Sequence, residues 1–502
     1  MSGPAAFGRL IGAGWMLMRN DALLPHELDS LYPPPVAALS KGLRALAGRE
    51  GQVGRPGERL ARSLERLGPV AIKLGQLLST RADIFGREFA EDLARLKDRL
   101  EPFPQALARA ELERVLGRPI ESLFAEFGPP VAAASLAQAH EARLLDGRRV
   151  AVKILRPRIE RRVAQDAEVL MLAARLVERL APPARRLEPI GFARTVIRAT
   201  ELELDLRLEA AGADELGEAM AEDGYMQAPK VVWDGVGKRA LTMEWAHGLP
   251  LSTEAALEQP GLDRRQLADN LIRAFLSQAL DRGVFHADLH EGNLFVAAPA
   301  QITAIDFGII GRLGAPERRY LAEILWGFLQ RDYRQVAQVH FDAGYVPARH
   351  SVAEFAQALR AVGEPMFGRA ASEVSMSRVL TQLFEITALF EMRLRPELVL
   401  LQKTMMAVEG VARRIYPDHD IWSASEPVVR RWIARELSPA TRIRRFAGEA
   451  EQALRNLARL AAAPPAEPVA EVKPGREHTA VLWFAIGALV SGVAFLAGAW
   501  LR

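Results

Sequence analysis

One stretch constrains this 502-residue chain more than any other: His286-Ala287-Asp288-Leu289-His290-Glu291-Gly292-Asn293, followed thirteen residues after its Asn by Asp306-Phe307-Gly308. Phosphoryl transfer needs one carboxylate beside the attacking group and further oxygen ligands for Mg²⁺. Asp288 suits the first task, while Asn293 and Asp306 are hard oxygen donors for the second. The apolar run Ile302 to Ile305 reads as a strand that delivers Asp306. His286, Asp288 and His290 also spell H-x-D-x-H, so a transition-metal site is the competing reading of the same residues. That alternative gives no reason for the later Asp-Phe-Gly or for an upstream lysine. An isolated Asp-Phe-Gly is a weak signal; the joint spacing is a strong one.

Upstream, Val150-Ala151-Val152-Lys153-Ile154-Leu155 is an apolar strand carrying one charge, just after the turn Asp146-Gly147. Lys153 is the candidate ligand for the α- and β-phosphates. Before it lies the small-residue segment Val131-Ala132-Ala133-Ala134-Ser135-Leu136-Ala137-Gln138, placed where a phosphate-covering loop is needed. Alanine permits close backbone approach but resists the left-handed geometry glycine allows, so this loop is expected to be stiff.

These residues resemble the UbiB/ADCK (AarF) family of atypical protein-kinase-like proteins, in which an alanine-rich nucleotide loop accompanies a K-x-G-Q motif. Lys73-Leu74-Gly75-Gln76 matches that motif, and Pro69 suits the first turn of its helix. Lys73, Gln76 and Thr80 then share a helix face. Glu203, Asp205 and Glu209 match the family's acidic helix. Glu209 is the first choice to hold Lys153, and Asp205, one turn away, could face the same lysine. The resemblance pairs the E-x-D carboxylates with Lys73, Glu203 first. Leu241-Thr242-Met243-Glu244-Trp245 resembles the hinge strand between two lobes, where backbone groups at Glu244 and Trp245 would bind adenine. The resemblance implies ATP and Mg²⁺ as cofactors and a role in ubiquinone biosynthesis, with that pathway's enzymes and polyprenylated quinone precursors as partners. The family's catalytic loop usually reads H-A-D-P-H-P-G-N; here Leu289 and Glu291 replace both prolines, so loop rigidity is expected to differ.

His290 stands two residues after Asp288, where protein kinases usually carry lysine and small-molecule phosphotransferases commonly carry histidine. Only six residues separate Gly308 from the triplet Ala315-Pro316-Glu317, too few for a peptide-docking activation segment. Phosphorylation of proteins in trans is therefore disfavoured. A nucleotide-binding scaffold without catalysis and a small-molecule phosphotransferase stay open as alternatives.

The absence of cysteine excludes disulfides and Cys-ligated zinc, and a net charge of +3 implies no bulk nucleic-acid binding. The uncharged run 480–501, with Trp483 and Trp500 near its ends, is long enough to cross a hydrocarbon core of about 30 Å. Its small-residue steps would permit helix association and a homo-oligomer. The basic, aromatic stretch Arg430, Arg431, Trp432, Arg435, Arg442, Arg444, Arg445 and Phe446 is expected to meet anionic lipid. Phe7 to Met18 reads as a peripheral amphipathic segment. The expected fold is α+β: a two-lobed protein-kinase-like fold with a helical N-terminal extension and a C-terminal transmembrane helix. Its expected parts are a leader (1–60), the K-x-G-Q extension (61–118), a small lobe (119–248), a large lobe (249–460), a proline-rich linker (461–479) and the span (480–501). The expected location is the cytoplasmic face of the inner membrane.

Overall fold

The computed structural model describes residues 3–22, 25–27, 41–42, 54–79, 87–94, 96, 101–180, 188–366, 386, 389–392 and 396–436. The chain divides into two compact units, Met1–Ala434 and Arg435–Arg502, and the architecture below is that of the first. The expected boundaries at 60, 118 and 248 fall inside this unit.

Four antiparallel strands form the first sheet, in the order β1 (Phe124–Ala133), β2 (Ala137–Leu144), β3 (Arg149–Leu155) and β4 (Ala240–Glu244). The alternation in β3 decides where its lysine goes. Val150, Val152 and Ile154 are buried against Ala108 and Leu112 of the helix Gln105–Leu116. Lys153 and Leu155 therefore point to the opposite face, where Leu155 packs on Leu206 and Ala210 of the helix Leu206–Asp223. The same cluster includes Leu136 from the β1–β2 turn, Ala137 from the start of β2, Leu241 and Met243 from β4, and Val70 from the helix Pro69–Ser79. One apolar patch thus joins the alanine-rich loop, the acidic helix and the N-terminal extension.

Gly68, at φ +114°, ends the helix Pro56–Leu67 and lets the Lys73 helix begin at Pro69. Gly75 is buried where a Cβ would lie 2.3 Å from Leu96 Cδ1 and 2.7 Å from Leu64 Cδ1, so the glycine of K-x-G-Q is a packing requirement.

The larger lobe is built on the buried helix Arg264–Ser277, capped by Asp263, whose carboxylate accepts the Gln266 N–H at 2.9 Å. Its core also receives the short strands β6 (Val284–His286), β7 (Leu294–Ala297) and β8 (Gln301–Ala304), and the helices Pro396–Ile415 and Ile421–Glu436. Strand β8 pairs antiparallel with β7, which pairs with β5 (Leu249–Pro250); β6 pairs with β9 (Ile310–Arg312). Ala315-Pro316-Glu317 opens the helix Ala315–Leu329, with its proline in the first turn.

Two expectations are corrected. Among the described residues no helix is long and apolar enough to cross a membrane. The single-pass anchoring and inner-membrane placement built on 480–501 are therefore withdrawn; that run and the linker before it lie outside the described residues. Trp432, expected at a lipid surface, is buried in the large lobe and donates its indole N–H to Leu280 O at 2.9 Å. The apolar side of its helix faces protein, and Arg430, which pairs with Glu426, lies on the exposed side. In the N-terminal helix Gly3–Arg19, Phe7, Ile11 and Trp15 are exposed.

Gly311 faces Phe285 across the β6–β9 pair, and a Cβ there would sit 2.1 to 2.5 Å from the fully buried Phe285 ring. A ring edge-on to Phe275 cannot retreat. Gly311→Ala should therefore destabilise the protein by about 2 kcal/mol, the usual range for overpacking. A thermal midpoint equal to wild type would show that this register is wrong.

Candidate functional site

Lys153 joins parts of the chain far apart in sequence. Its Nζ donates to Glu209 Oε1 and Oε2 at 2.7 and 2.9 Å and lies 3.3 Å from Asp306 Oδ1. Glu209 is buried, whereas the Asp306 side chain is 49% exposed. Burial alone would favour the neutral amine, but the Asp306 and Glu209 carboxylates override it and hold the Lys153 ammonium above its ordinary value. The Lys153 charge in turn holds Asp306 below the usual carboxylate range. Burial pushes Glu209 up to about 7, with Lys153 opposing. Asp306 has φ +61°, a left-handed conformation that Asp and Asn tolerate better than most residues. A Cβ added at Gly212, one turn beyond Glu209, would lie 2.3 Å from Ile310 Cδ1 and 3.3 Å from Phe307 O, so the glycine lets the Glu209 helix pack closely on the Asp-Phe-Gly segment.

The β7–β8 hairpin brings Asn293 and Asp306 to one end. Leu294 pairs with Ala304, and the next rung continues through the Ile305 N–H donating to Asn293 O at 2.9 Å. Asn293 Nδ2 donates to Asp288 O at 3.1 Å, which leaves the Asn293 side-chain oxygen as its metal-type donor. His286 is fully buried. Its Nδ1 accepts the Asp288 N–H at 3.1 Å, so Nε2 carries the proton donated to Ile305 O at 3.1 Å. Both ring nitrogens are thus committed, and the H-x-D-x-H metal reading fails. His290 Nδ1 accepts from Gly292 N at 3.0 Å, and its Nε2 is 3.6 Å from Asp288 Oδ2. Leu289 is buried in the large-lobe core, an anchor in place of one of the prolines expected in this loop.

Other expectations change. In the alanine-rich segment, Val131, Ala132 and Ala133 end β1, Ala134, Ser135 and Leu136 form the turn, and Ala137 and Gln138 start β2. Val131 and Ala132 are exposed. Leu136 and Ala137 face the apolar patch, and Gln138 is buried, exchanging hydrogen bonds with Phe103 N and O at 2.8 and 3.1 Å. Those three side chains are structural, so contact with a nucleotide is left to the turn backbone and to Val131–Ala134. Arg156, which sequence reasoning missed, donates to Ala134 O at 2.8 Å and fastens the turn. The backbone N–H groups of Glu244 and Trp245 donate to Lys230 O and Arg149 O, each at 2.9 Å, and are not available to an adenine. The Trp245 ring lies under the Arg149 guanidinium, 4.1 Å from Cζ to centroid.

Comparison with known proteins bears on this arrangement. Residues 95–340 match the family model described as ABC1 atypical kinase-like domain, and 359–420 match the UbiB helical domain. The "Probable protein kinase UbiB" of Marinobacter nauticus is 42% identical over 389 residues, 76% of this chain and 71% of that protein. The protein of the same name from Pseudomonas putida strain GB-1 is 39% identical over 450 residues, 88% and 82% of the two chains. This chain belongs to the UbiB family. A solved structure, the Rv3197–erythromycin complex from Mycobacterium tuberculosis, aligns with a TM-score of 0.49 at 25% identity, over 73% of this chain and 93% of that one.

The UbiB-type motif lysine, Lys73, forms an ion pair with Glu203, the residue that caps the C-terminus of the helix Pro189–Leu202. Burial pushes Glu203 above its ordinary value, with Lys73 opposing, and it lies close enough to Asp306 and Lys153 to feel both charges. Gln76 follows one turn after Lys73, half-buried; Thr80 lies outside the described residues. Asp205 goes elsewhere. It caps the Glu209 helix, accepting the Arg207 N–H at 3.2 Å, and binds the Arg207 guanidinium at 2.6 and 2.8 Å, so it meets neither lysine. In this UbiB chain the two carboxylates of E-x-D thus have separate tasks.

Between the ordinary Glu value of 4.5 and about 7, native Glu209 holds a proton that the unfolded chain has released. Stability from this group is full below 4.5 and is lost as pH rises towards 7. Relative to Glu209→Gln, wild type should lose up to about 3 kcal/mol across that window. Denaturant midpoints of the two proteins over a pH series measure this; parallel curves would remove the assignment.

Proposed function

We propose that this chain is a Mg²⁺- and ATP-dependent enzyme of the kinase-like superfamily, an ATPase or small-molecule kinase. We further propose that it supports ubiquinone biosynthesis by assisting enzymes that act on polyprenylated phenol precursors. One observation carries the reading: an ammonium from the small-lobe sheet stands 3.3 Å from the carboxylate of Asp-Phe-Gly in the other lobe. The donor set fits the cofactor, since Asp306 and Asn293 offer hard oxygens at one end of a hairpin and Lys153 offers a fixed cation. When bound, the Mg²⁺ complex of ATP supplies the transferable phosphoryl group and spreads its charge. Lys153, held by Glu209, binds phosphate oxygens; Asn293 and Asp306 would hold the metal. Asp288 orients a hydroxyl or water and accepts its proton, while His286 fixes the backbone from which Asp288 projects. The pathway assignment rests on family membership, and the six-residue gap after Gly308 speaks against a peptide acceptor.

The second reading, a nucleotide-binding scaffold, is favoured by the alanines where glycines would let the backbone close over phosphates. Phosphate release by the purified full chain separates the two. Asp306→Asn should lower Mg²⁺-dependent turnover by at least about a hundredfold while the protein stays folded. Turnover equal to wild type in that variant rejects the catalytic assignment, and unchanged turnover in Asp288→Asn leaves the scaffold. Quinone profiles of a deletion strain test the pathway separately, and normal levels would refute it.

A further inference from the structure

The loop carrying Asp288 and Asn293 has little structure of its own. Glu291–Asn293 is a single 3-10 turn whose own bonds are Gly292 N to His290 Nδ1 at 3.0 Å and Asn293 N to His290 O at 2.9 Å, with the Ile305 N–H tying only its last residue to the hairpin. One turn fixes more dihedrals than its bonds repay, so its geometry needs support from outside. Part of that support comes from the helix Pro396–Ile415, within the UbiB helical domain and far along the chain. The buried Thr404 hydroxyl, 2.8 Å from Leu400 O, also lies 3.1 Å from Ala287 O, directly before Asp288. Ten residues further along the same helix, the Arg414 guanidinium forms an ion pair with Glu291, two residues before Asn293. The helix therefore grips the loop on both sides of Asp288, and one grip is electrostatic and partly open to solvent.

We infer that Arg414, through Glu291, is a positioning residue that holds the Asp288–Asn293 loop in its working geometry from the helical domain. The ion pair does by attraction what a proline at 291 would do by restricting φ. Three features make the two solutions interchangeable here. Glu291 is the first residue of its turn, the position proline prefers. Its N–H donates no hydrogen bond to another described residue. His290 before it is extended, at φ −104° and ψ 166°, as a residue preceding proline must be. The chemical value of ordering Asp288 and Asn293 rests on the function proposed above; the ordering itself does not.

Amide hydrogen exchange of the full chain without nucleotide reads the loop directly, with ATP turnover measured beside it. Arg414→Gln should speed exchange across 288–293 roughly threefold to fivefold, the scale of one partly exposed ion pair, while the helix Arg264–Ser277 is unchanged. It should lower kcat by a similar factor and leave the KM for ATP alone. Adding Glu291→Pro to Arg414→Gln should restore slow exchange and kcat. Raising salt to about 1 M should bring wild type towards Arg414→Gln and leave the double variant unmoved. Unchanged loop exchange in Arg414→Gln overturns the inference. So does faster exchange spread through the whole large lobe, or failure of the proline to restore protection. If wild type turns over no ATP, the exchange result still decides this inference, and only the functional proposal falls.

Discussion

A single half-buried ammonium holds the two lobes to one geometry. Lys153 must keep its charge in a poorly solvated place, and only carboxylates on two other elements make that tolerable. Glu209 comes from a helix, Asp306 from the end of a hairpin, and the alternation of β3 aims the lysine between them. Removing either acid would leave the half-buried Lys153 charge partly unpaired, so the three positions specify one another. The packing around them serves the same end. Gly212 lets the Glu209 helix come down onto the Phe307 carbonyl, and the apolar patch under Leu155 fixes how far that helix stands from the sheet.

The K-x-G-Q extension is coupled to this cluster in two ways. Val70 enters the same apolar patch as Leu136 of the β1–β2 turn and Ala137 at the start of β2. Lys73 offsets Glu203, a carboxylate near enough to Asp306 to add to its negative field. Without Lys73, that additional charge would stand uncompensated beside the metal-type donors. The extension is therefore part of the electrostatics of the cleft as well as of its packing.

The Lys153–Glu209 pairing was legible only through the kinase-like template, which needs a helix carboxylate beside the strand lysine. The pairing of Lys73 with Glu203 came from the family resemblance and was not derivable from spacing. What stayed hidden depends on direction and on competition for partners. Gln138 sits in the loop by sequence, yet strand alternation turns it to the Phe103 backbone. Glu244 and Trp245 resemble a hinge by sequence, but their N–H groups are taken by the Lys230 and Arg149 carbonyls. Asp205 looked equivalent to Glu203 until its place before the helix made it a cap. The contact between Arg414 and Glu291 gave no local signal, since over a hundred residues separate its partners.

The backbone at position 306 has a consequence for how this site tolerates variation. Its left-handed φ admits glycine freely, asparagine and aspartate with little strain, and β-branched or bulky side chains poorly. Of the three that fit, only aspartate carries a charge to share with Lys153. Shape and electrostatics therefore filter this position independently and agree on one residue. Asparagine alone separates the two requirements: it keeps the turn and a polar side chain of the same size while surrendering the charge.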